Sequence, residues 1–172
     1  MSTKIKAAFL DRDGVINRNN GYVTNKKRFT WLKNVKSAIR LLNNKKFKVF
    51  IVTNQSAVAR GFCSENDVNN LHLWINNELK KNKAKIDEFF YCPYHPKGII
   101  KKYRKKSYLR KPNPGMIVKA VKKYSINLDK SFMIGDTKSD KICAERVNLK
   151  FYYKKNNLQK DIKLILKKYN LK

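Results

Sequence analysis

Residues 5 to 14 read Ile5-Lys6-Ala7-Ala8-Phe9-Leu10-Asp11-Arg12-Asp13-Gly14, an apolar run that passes directly into two aspartates and a glycine. A short apolar run closed by a turn signal is the pattern of a strand buried on both faces. It recurs: Phe47-Lys48-Val49-Phe50-Ile51-Val52 ends at Thr53-Asn54, and Phe132-Met133-Ile134 runs into Gly135-Asp136. Two further strands are read at residues 86 to 91 and 149 to 153. Helical spacing lies between them. Val35, Ala38, Ile39, Leu41 and Leu42 follow Asn34, a candidate N-cap, and Ser64 with Asp67 three residues on opens a helix through Val68, Leu71, Trp74, Ile75 and Leu79. Pro114 suits the first turn of a helix through Met116, Ile117, Ala120 and Val121. Residues 138 to 146 suggest a short helix, and Leu158 to Tyr169, with Ile162, Leu164, Ile165 and Leu166 apolar, a terminal one. This alternation predicts an α/β, Rossmann-like, mostly parallel sheet with helices on both faces.

The chain has 172 residues, 42% of them hydrophobic, enough for one domain over residues 1 to 172 with a real core but no separate cap domain. No run approaches the roughly 18 apolar residues of a membrane span, and the opening is too short and too broken by lysine for a signal peptide. A cytoplasmic location is expected, with no membrane partner. Cys63, Cys92 and Cys143 are far apart and odd in number, so free thiols are expected rather than a disulfide framework. Residues 92 to 113 form a long irregular stretch suspected of function.

Lys plus Arg number 41 against 12 Asp plus Glu, a formal net charge of +29. Such a field suggests nucleic acid, whose phosphates lysine and arginine neutralise. Against that, 33 of the cations are Lys and only 8 Arg, spread along the whole chain beside 20 Asn. Dedicated phosphate readers favour the Arg fork, so a solvated lysine-rich surface is the preferred reading and a nucleic-acid partner is disfavoured but left open. So large a like charge also opposes self-association, and a monomer is expected.

Where acid is scarce, clustered acid needs a reason. Four of the 8 aspartates fall in Asp11-Arg12-Asp13-Gly14 and Gly135-Asp136-Thr137-Lys138-Ser139-Asp140. Ligands of open parallel sheets bind beyond the carboxyl ends of the strands, where Asp11, Asp13, Thr53, Asn54 and Asp136 all fall. Asp11, Asp13, Asp136 and Asp140 could not gather ionised without a cation, and a hard divalent ion with oxygen ligands, Mg²⁺ above all, answers the need. Asp11 could then attack phosphorus to form an aspartyl-phosphate, while Asp13 protonates the leaving oxygen and later deprotonates water. Gly14 lets the backbone turn between them. Thr53, backbone N–H groups and a lysine could stabilise the phosphoryl oxygens. Asp-Arg-Asp-Gly is also ordinary turn chemistry, and Thr53 an ordinary β-branched strand residue.

Asp11-Arg12-Asp13-Gly14-Val15-Ile16-Asn17, Val52-Thr53-Asn54-Gln55-Ser56, Ala59-Arg60-Gly61, Arg110-Lys111-Pro112 with Pro114-Gly115-Met116, and Gly135-Asp136 resemble, in order, the motifs of the haloacid dehalogenase-like phosphatases. The resemblance covers residues 5 to about 150. It implies a Mg²⁺-dependent phosphatase of small phosphorylated metabolites, in the branch acting on a heptose bisphosphate for lipopolysaccharide precursors, with histidinol phosphate the nearest rival. After these come a polynucleotide 3′-phosphatase and a non-catalytic nucleic-acid-binding protein. By resemblance Asp11 is the nucleophile, Asp13 the acid/base, and Thr53 and Lys111 hold the phosphoryl group. The metal is held by Asp11, the Asp13 backbone carbonyl and Asp136, with Asp140 behind them. Asn19, Asn20, Gly21, Tyr22, Asn54, Gln55, Ser56, Arg60 and Arg110 match substrate-contacting positions, Arg110 suiting a second phosphate.

Two departures stand out. The family's structural zinc needs Cys-Pro-His and a later Cys-x-Cys, whereas here Cys92-Pro93 precedes Tyr94, His95 comes one place late, and Ser107 and Leu109 replace the second pair. Two ligands cannot make a tetrahedral site, so no zinc is expected, the loop being held by Tyr91, Tyr94, Tyr103 and Tyr108 instead. Thr137 stands where a substrate-contacting lysine is usual. His72 is expected to pack and not to catalyse.

Overall fold

Each residue of β1 (Ala7–Leu10) is 0% exposed, because the strand lies at the centre of the sheet and is covered on both sides. The computed structural model describes residues 4–155 and 157–168. Within them, α1 (Val35–Asn44) leads to β2 (Lys48–Asn54), α2 (Glu65–Lys80) to β3 (Glu88–Cys92), α3 (Gly115–Tyr124) to β4 (Phe132–Gly135) and α4 (Lys138–Glu145) to β5 (Lys150–Tyr153), with α5 (Leu158–Lys168) last. The strands are all parallel in the order β3-β2-β1-β4-β5.

Alternation along the strands explains the two layers. Ala8, Leu10, Val49, Ile51, Phe132 and Ile134 share a core with Val35, Ile39 and Leu42 of α1, Leu71, Ile75 and Leu79 of α2, and Ile162 and Ile165 of α5. Ala7, Phe9, Phe50, Val52 and Met133 point the other way, against Met116, Ile117 and Ala120 of α3 and Cys143 and Ala144 of α4. The period-2 pattern thus sorts the helices three to one face and two to the other. This is the α/β architecture that the alternation of elements predicts.

Several boundaries differ. The first strand begins at Ala7, not Ile5, which makes only an isolated bridge to Ile126. The second continues through Thr53 and Asn54, so these residues sit on the strand itself. Asn34 precedes α1 but adopts φ 62°, ψ 15°, and its side chain makes no cap bond, because a cap side chain reaches the first turn from an extended backbone. Ser64 and Asp67 do form the reciprocal capping box of α2, and Thr137 and Asp140 form a second at α4. Of the apolar residues of the terminal helix, Ile162 and Ile165 are buried and Leu164 is 55% exposed, while Tyr169 lies outside the described residues.

The chain adds β2 and β3 outward from one side of β1, then returns to lay β4 on the other side. That reversal leaves a crevice at the carboxyl ends of β1 and β4, where ligands of such sheets bind. The connections following β1 and β3 rise from the same edge. The first folds back on itself through Arg18 N–H to Thr30 O (2.9 Å) and Leu32 N–H to Ile16 O (3.1 Å).

Candidate active site

The crevice is a cleft of about 200 Å³ lined by Asp11, Asp13, Thr53, Lys111 and Asp136, with Asn19, Gly21, Tyr22, Asn54, Gln55 and Ser56 around them. Residues up to 128 positions apart in the chain meet here because β2, β1 and β4 are parallel neighbours whose carboxyl ends open on the same edge of the sheet. Val23, Thr137 and Ser139 complete the wall and were not singled out as site residues from the sequence. Thr137 opens α4 as its N-cap, so the helix start faces the cleft.

Asp11 leaves β1 with its N–H donated to Ile134 O (3.0 Å), which holds its backbone to β4. Its carboxylate Oδ1 accepts from Lys111 Nζ at 2.8 Å, and Lys111 also donates to Val52 O (2.9 Å) and lies 2.6 Å from Asp140 Oδ1 as an ion pair outside hydrogen-bond geometry. Both Lys111 and Asp140 are buried. Burial pushes the Asp11 carboxyl up to about 7, helped by Asp140 and Asp13 and opposed by Lys111. Burial alone would lower Lys111, but the carboxylates of Asp11 and Asp140 outweigh it and the ammonium is held more firmly than usual. Asp136 is also raised, by burial first and then by Asp140.

Gly14 has φ +87°, and a Cβ there would collide with the Asp136 carboxylate, so only glycine brings the two strand ends this close. Carboxylate oxygens of Asp11, Asp136 and Asp140 lie within 4.8 Å of one another. Asp140 is taken, however: Oδ1 faces Lys111, while Oδ2 accepts from Thr137 N–H (3.0 Å) and Oγ1 (2.6 Å). The bridge between Asp13 and Asn17 uses the Arg12 carbonyl and the Gly14 N–H, not the Asp13 carbonyl. Asp11 and Asp136 thus offer neighbouring carboxylate oxygens of the kind that suit a hard divalent ion, whereas both oxygens of Asp140 are turned to Lys111 and Thr137.

Asp13 is gripped on both oxygens. Arg12 donates from Nε and Nη2 at 3.0–3.4 Å, Asn17 Nδ2 to Oδ1 at 2.9 Å, and Gln55 Nε2 to Oδ2 at 3.0 Å. Gln55 also donates to Thr53 Oγ1 (2.8 Å), which leaves the Thr53 hydroxyl proton free for an acceptor in the cleft. Two expected substrate residues therefore have internal duties. Gln55 ties Asp13 to Thr53, and Asn54 exchanges both amide atoms with the Lys111 backbone (3.0 and 3.1 Å), fixing the lysine loop to β2.

Asn20, Arg60 and Arg110 lie outside the cleft lining. Asn20 uses its carbonyl to accept from Arg28. Arg110 is half-buried and donates to Tyr94 O (3.3 Å), while burial and the neighbouring Arg60 lower its hold on its proton. These two cations are therefore neighbours, and neither lines the cleft. Neither Arg12, 0% exposed, nor Asn17 was singled out for a role from the sequence, because the signal for either lies in contacts and not in spacing.

The loop after β3 is held as follows. Tyr91 and Tyr103 hydroxyls each donate to Glu65 at 2.9 Å, and the Tyr94 and Tyr103 rings lie 6.0 Å apart. Tyr108 does not join them, since its ring is 61% exposed and it meets the body through its carbonyl, which accepts from Gly115 N–H (3.1 Å). Cys92 Sγ faces Tyr94 O and His95 Nδ1 accepts from Lys97 N–H (3.0 Å). All three cysteines are free. His72 is buried, stacked on Phe89 at 4.3 Å, and takes the packing role.

The profile described as Polynucleotide kinase 3 phosphatase matches residues 6–169. A D-glycero-beta-D-manno-heptose-1,7-bisphosphate 7-phosphatase of Rhodopseudomonas palustris is 46% identical over 143 residues, 83% of this chain and 79% of that one. Its Escherichia coli K12 counterpart is 36% identical over 149 residues, 87% and 78% of the two chains. Among solved structures, D,D-heptose 1.7-bisphosphate phosphatase from B. bronchiseptica, complexed with magnesium and phosphate, superposes with a TM-score of 0.82 at 23% identity, covering 95% of this chain and 99% of that one. Five parallel strands with this site at their carboxyl edge, together with these relatives, place the chain among the haloacid dehalogenase-like phosphatases: it belongs to the family of D-glycero-D-manno-heptose 1,7-bisphosphate 7-phosphatases.

Proposed function

We propose that the protein hydrolyses the 7-phosphate of D-glycero-D-manno-heptose 1,7-bisphosphate, in the supply of heptose precursors for the lipopolysaccharide core. The observation that carries the reading is the buried Asp11–Lys111 pair on the floor of a cleft that also holds Asp13, Thr53 and Asp136. The curated relatives named above act, by their names, on this bisphosphate, and others are named for its α anomer. The neighbouring cations Arg60 and Arg110, outside the cleft lining, suit the phosphate that is not cleaved.

The steps follow from the residues. Asp11 attacks phosphorus, and the bond to the sugar oxygen breaks as Asp13 delivers a proton to that oxygen. Water then attacks the aspartyl-phosphate, gives its proton to Asp13, and releases phosphate and Asp11. Lys111 keeps Oδ1 of Asp11 paired and so presents the other oxygen to the substrate. Thr53 offers its hydroxyl to a phosphoryl oxygen. Magnesium, held by Asp11, the Asp13 carbonyl and Asp136, would screen the carboxylates and polarise the phosphoryl group.

The rest of the reading is coarser. No helix of the described residues is long and apolar enough to cross a membrane. We take residues 1–172 as one cytoplasmic domain, working as a monomer because its like charge opposes association, with free thiols and no zinc. The test is phosphate release with Mg²⁺ from both anomers of the heptose bisphosphate, from histidinol phosphate and from a 3′-phosphorylated oligonucleotide, the last included because of the matching profile's name. The heptose esters should be turned over best, and Asp11→Asn should abolish release. A preference for histidinol phosphate or for the oligonucleotide overturns the substrate; activity that survives Asp11→Asn overturns the nucleophile.

A further inference from the structure

Arg12 is the largest fully buried side chain of the described residues, at 0% exposure. A guanidinium in that position has lost its water, and its Nη1 has no hydrogen-bond partner among the described residues. Replacement of a whole buried ion pair by apolar side chains of similar volume is often neutral or stabilising, so core packing gives no reason for an arginine here. What the arginine does achieve is directional. Nη2 donates to Val23 O at 2.8 Å, which anchors the fork to the segment after the first turn, and Nε and Nη2 together face the Asp13 carboxylate.

We propose that Arg12 is a positioning residue for Asp13: its anchored fork, with Asn17 and Gln55, sets the direction in which the Asp13 carboxylate faces the cleft. The inference rests on the acid/base role of Asp13 proposed above. Around Oδ1 stand Asn17 Nδ2 and the fork, and around Oδ2 Gln55 Nε2 and the fork. A carboxylate at the end of one rotatable stem would otherwise sample several orientations, and only one aims an oxygen at the sugar oxygen that must receive the proton. Asn17 and Gln55 each supply a single contact, from one amide nitrogen that each also shares with a second acceptor, Arg18 O and Thr53 Oγ1. Arg12 supplies a planar, two-nitrogen contact from the adjacent residue, held from behind by Val23, and such a fork fixes the plane of the carboxylate as well as its position.

The leaving group provides a readout that a merely structural role would not move. When the sugar–phosphate bond breaks, the alkoxide needs the Asp13 proton; when p-nitrophenyl phosphate is cleaved, the phenolate departs without one. In the second step both substrates require Asp13 to take a proton from water. Arg12→Lys and Arg12→Met should therefore lower kcat on the heptose bisphosphate by about 10²-fold, the low end for a misplaced general acid, with KM changed by less than about threefold. On p-nitrophenyl phosphate the first turnover should stay fast and the second slow, giving a burst of one phenolate per enzyme. Asp13→Asn should show the same pattern in stronger form. Arg12→Lys, which keeps the charge without the fork, should resemble Arg12→Met more than the parent protein.

Equal losses on both esters without a burst, or full alkyl-ester turnover in either variant, overturn the proposal. Should neither Arg12 variant fold, Asn17→Ser removes a donor from the same carboxylate without stranding a charge. It should then give the same leaving-group signature at smaller size, and equal losses there overturn the proposal too. The parent protein separates the two readings: if it hydrolyses neither ester with Mg²⁺, the proposed function fails, whereas an active parent with evenly impaired variants sinks only the role of Arg12.

Discussion

Replacing Lys111 by methionine keeps most of the stem volume and removes one charge from the centre of the site. Lys111 Nζ serves Asp11 at 2.8 Å, Asp140 at 2.6 Å and Val52 O at 2.9 Å, with its side chain only 3% exposed. Removing one partner of a buried ion pair costs about 3–5 kcal/mol, because the remaining charge is left desolvated. For a chain of 150–250 residues that is roughly 2–4 °C per kcal/mol, so the melting temperature should fall by about 6–20 °C. The fall should depend on pH in a stated direction. Asp11 is raised from 3.8 to about 7, so between those values the folded state holds a proton that the unfolded chain releases, and the group opposes folding increasingly as pH rises. Without Lys111 the carboxyl rises further, so the variant should lose most at pH 8 and recover part of the gap at pH 6. The assay is thermal unfolding by circular dichroism in chelator at both pH values. A variant within about 2 °C of the parent at pH 8, or a gap that widens toward acid, refutes the assignment of Lys111 as the counter-ion of this cluster.

Other outcomes test separate parts of the structure. Magnesium at about 100 times its dissociation constant should stabilise the protein by about 2.7 kcal/mol, a rise of some 5–11 °C that chelator reverses and Asp136→Asn removes. His72 is lowered to about 3, chiefly by burial and then by Arg12, so the unfolded chain takes up a proton that the folded state refuses. Stability should accordingly fall below pH 6.5 by up to about 1.4 kcal/mol per pH unit, and His72→Phe should flatten that slope in denaturant titrations from pH 6.5 to 4; an unchanged slope assigns the acid sensitivity elsewhere. Ser64→Ala removes the side chain that accepts from Asp67 N–H (3.1 Å) and should cost about 1 kcal/mol by urea unfolding, whereas no measurable loss means the box at α2 contributes nothing.

Local patterns made much of this protein legible. A strand buried on both faces must be apolar throughout, and a residue ending such a strand must lie at the sheet's carboxyl edge, so Asp11, Thr53 and Asp136 could be placed together before any contact was known. The scarcity of acid sharpened the inference, since with 8 aspartates against 33 lysines a paired motif is seldom accidental. Capping at α2 was readable for the same reason: Ser64 and Asp67 act within one turn. Asn34 shows the limit of that reasoning. The residue type fits a cap, but the backbone there turns left-handed, a choice made by the chain leading into the helix.

Contacts across the chain were decided only on folding. Lys111 reaches Asp11 over 100 residues, and Asn54 ties the Lys111 backbone over 57. Both stand in recognisable motifs, but residue type does not say which group each meets, because lysine and asparagine are the commonplace residues of this sequence and an amide suits a substrate contact as well as a loop tie. Gln55, matched to a substrate contact, instead ties Asp13 to Thr53 for a related reason, and Asp140 keeps its expected place behind the site. Each faces several groups, and the nearest donors and acceptors, not the residue type, determine what its polar atoms do. The sequence by itself determined the layer order, the strand ends and the acidic chemistry, since these follow from periodicity and from residues adjacent in the chain. Tertiary structure alone decided which cation neutralises Asp11 and which groups hold Asp13. Those choices depend on burial, which strips water from a charge and makes its few remaining partners decisive.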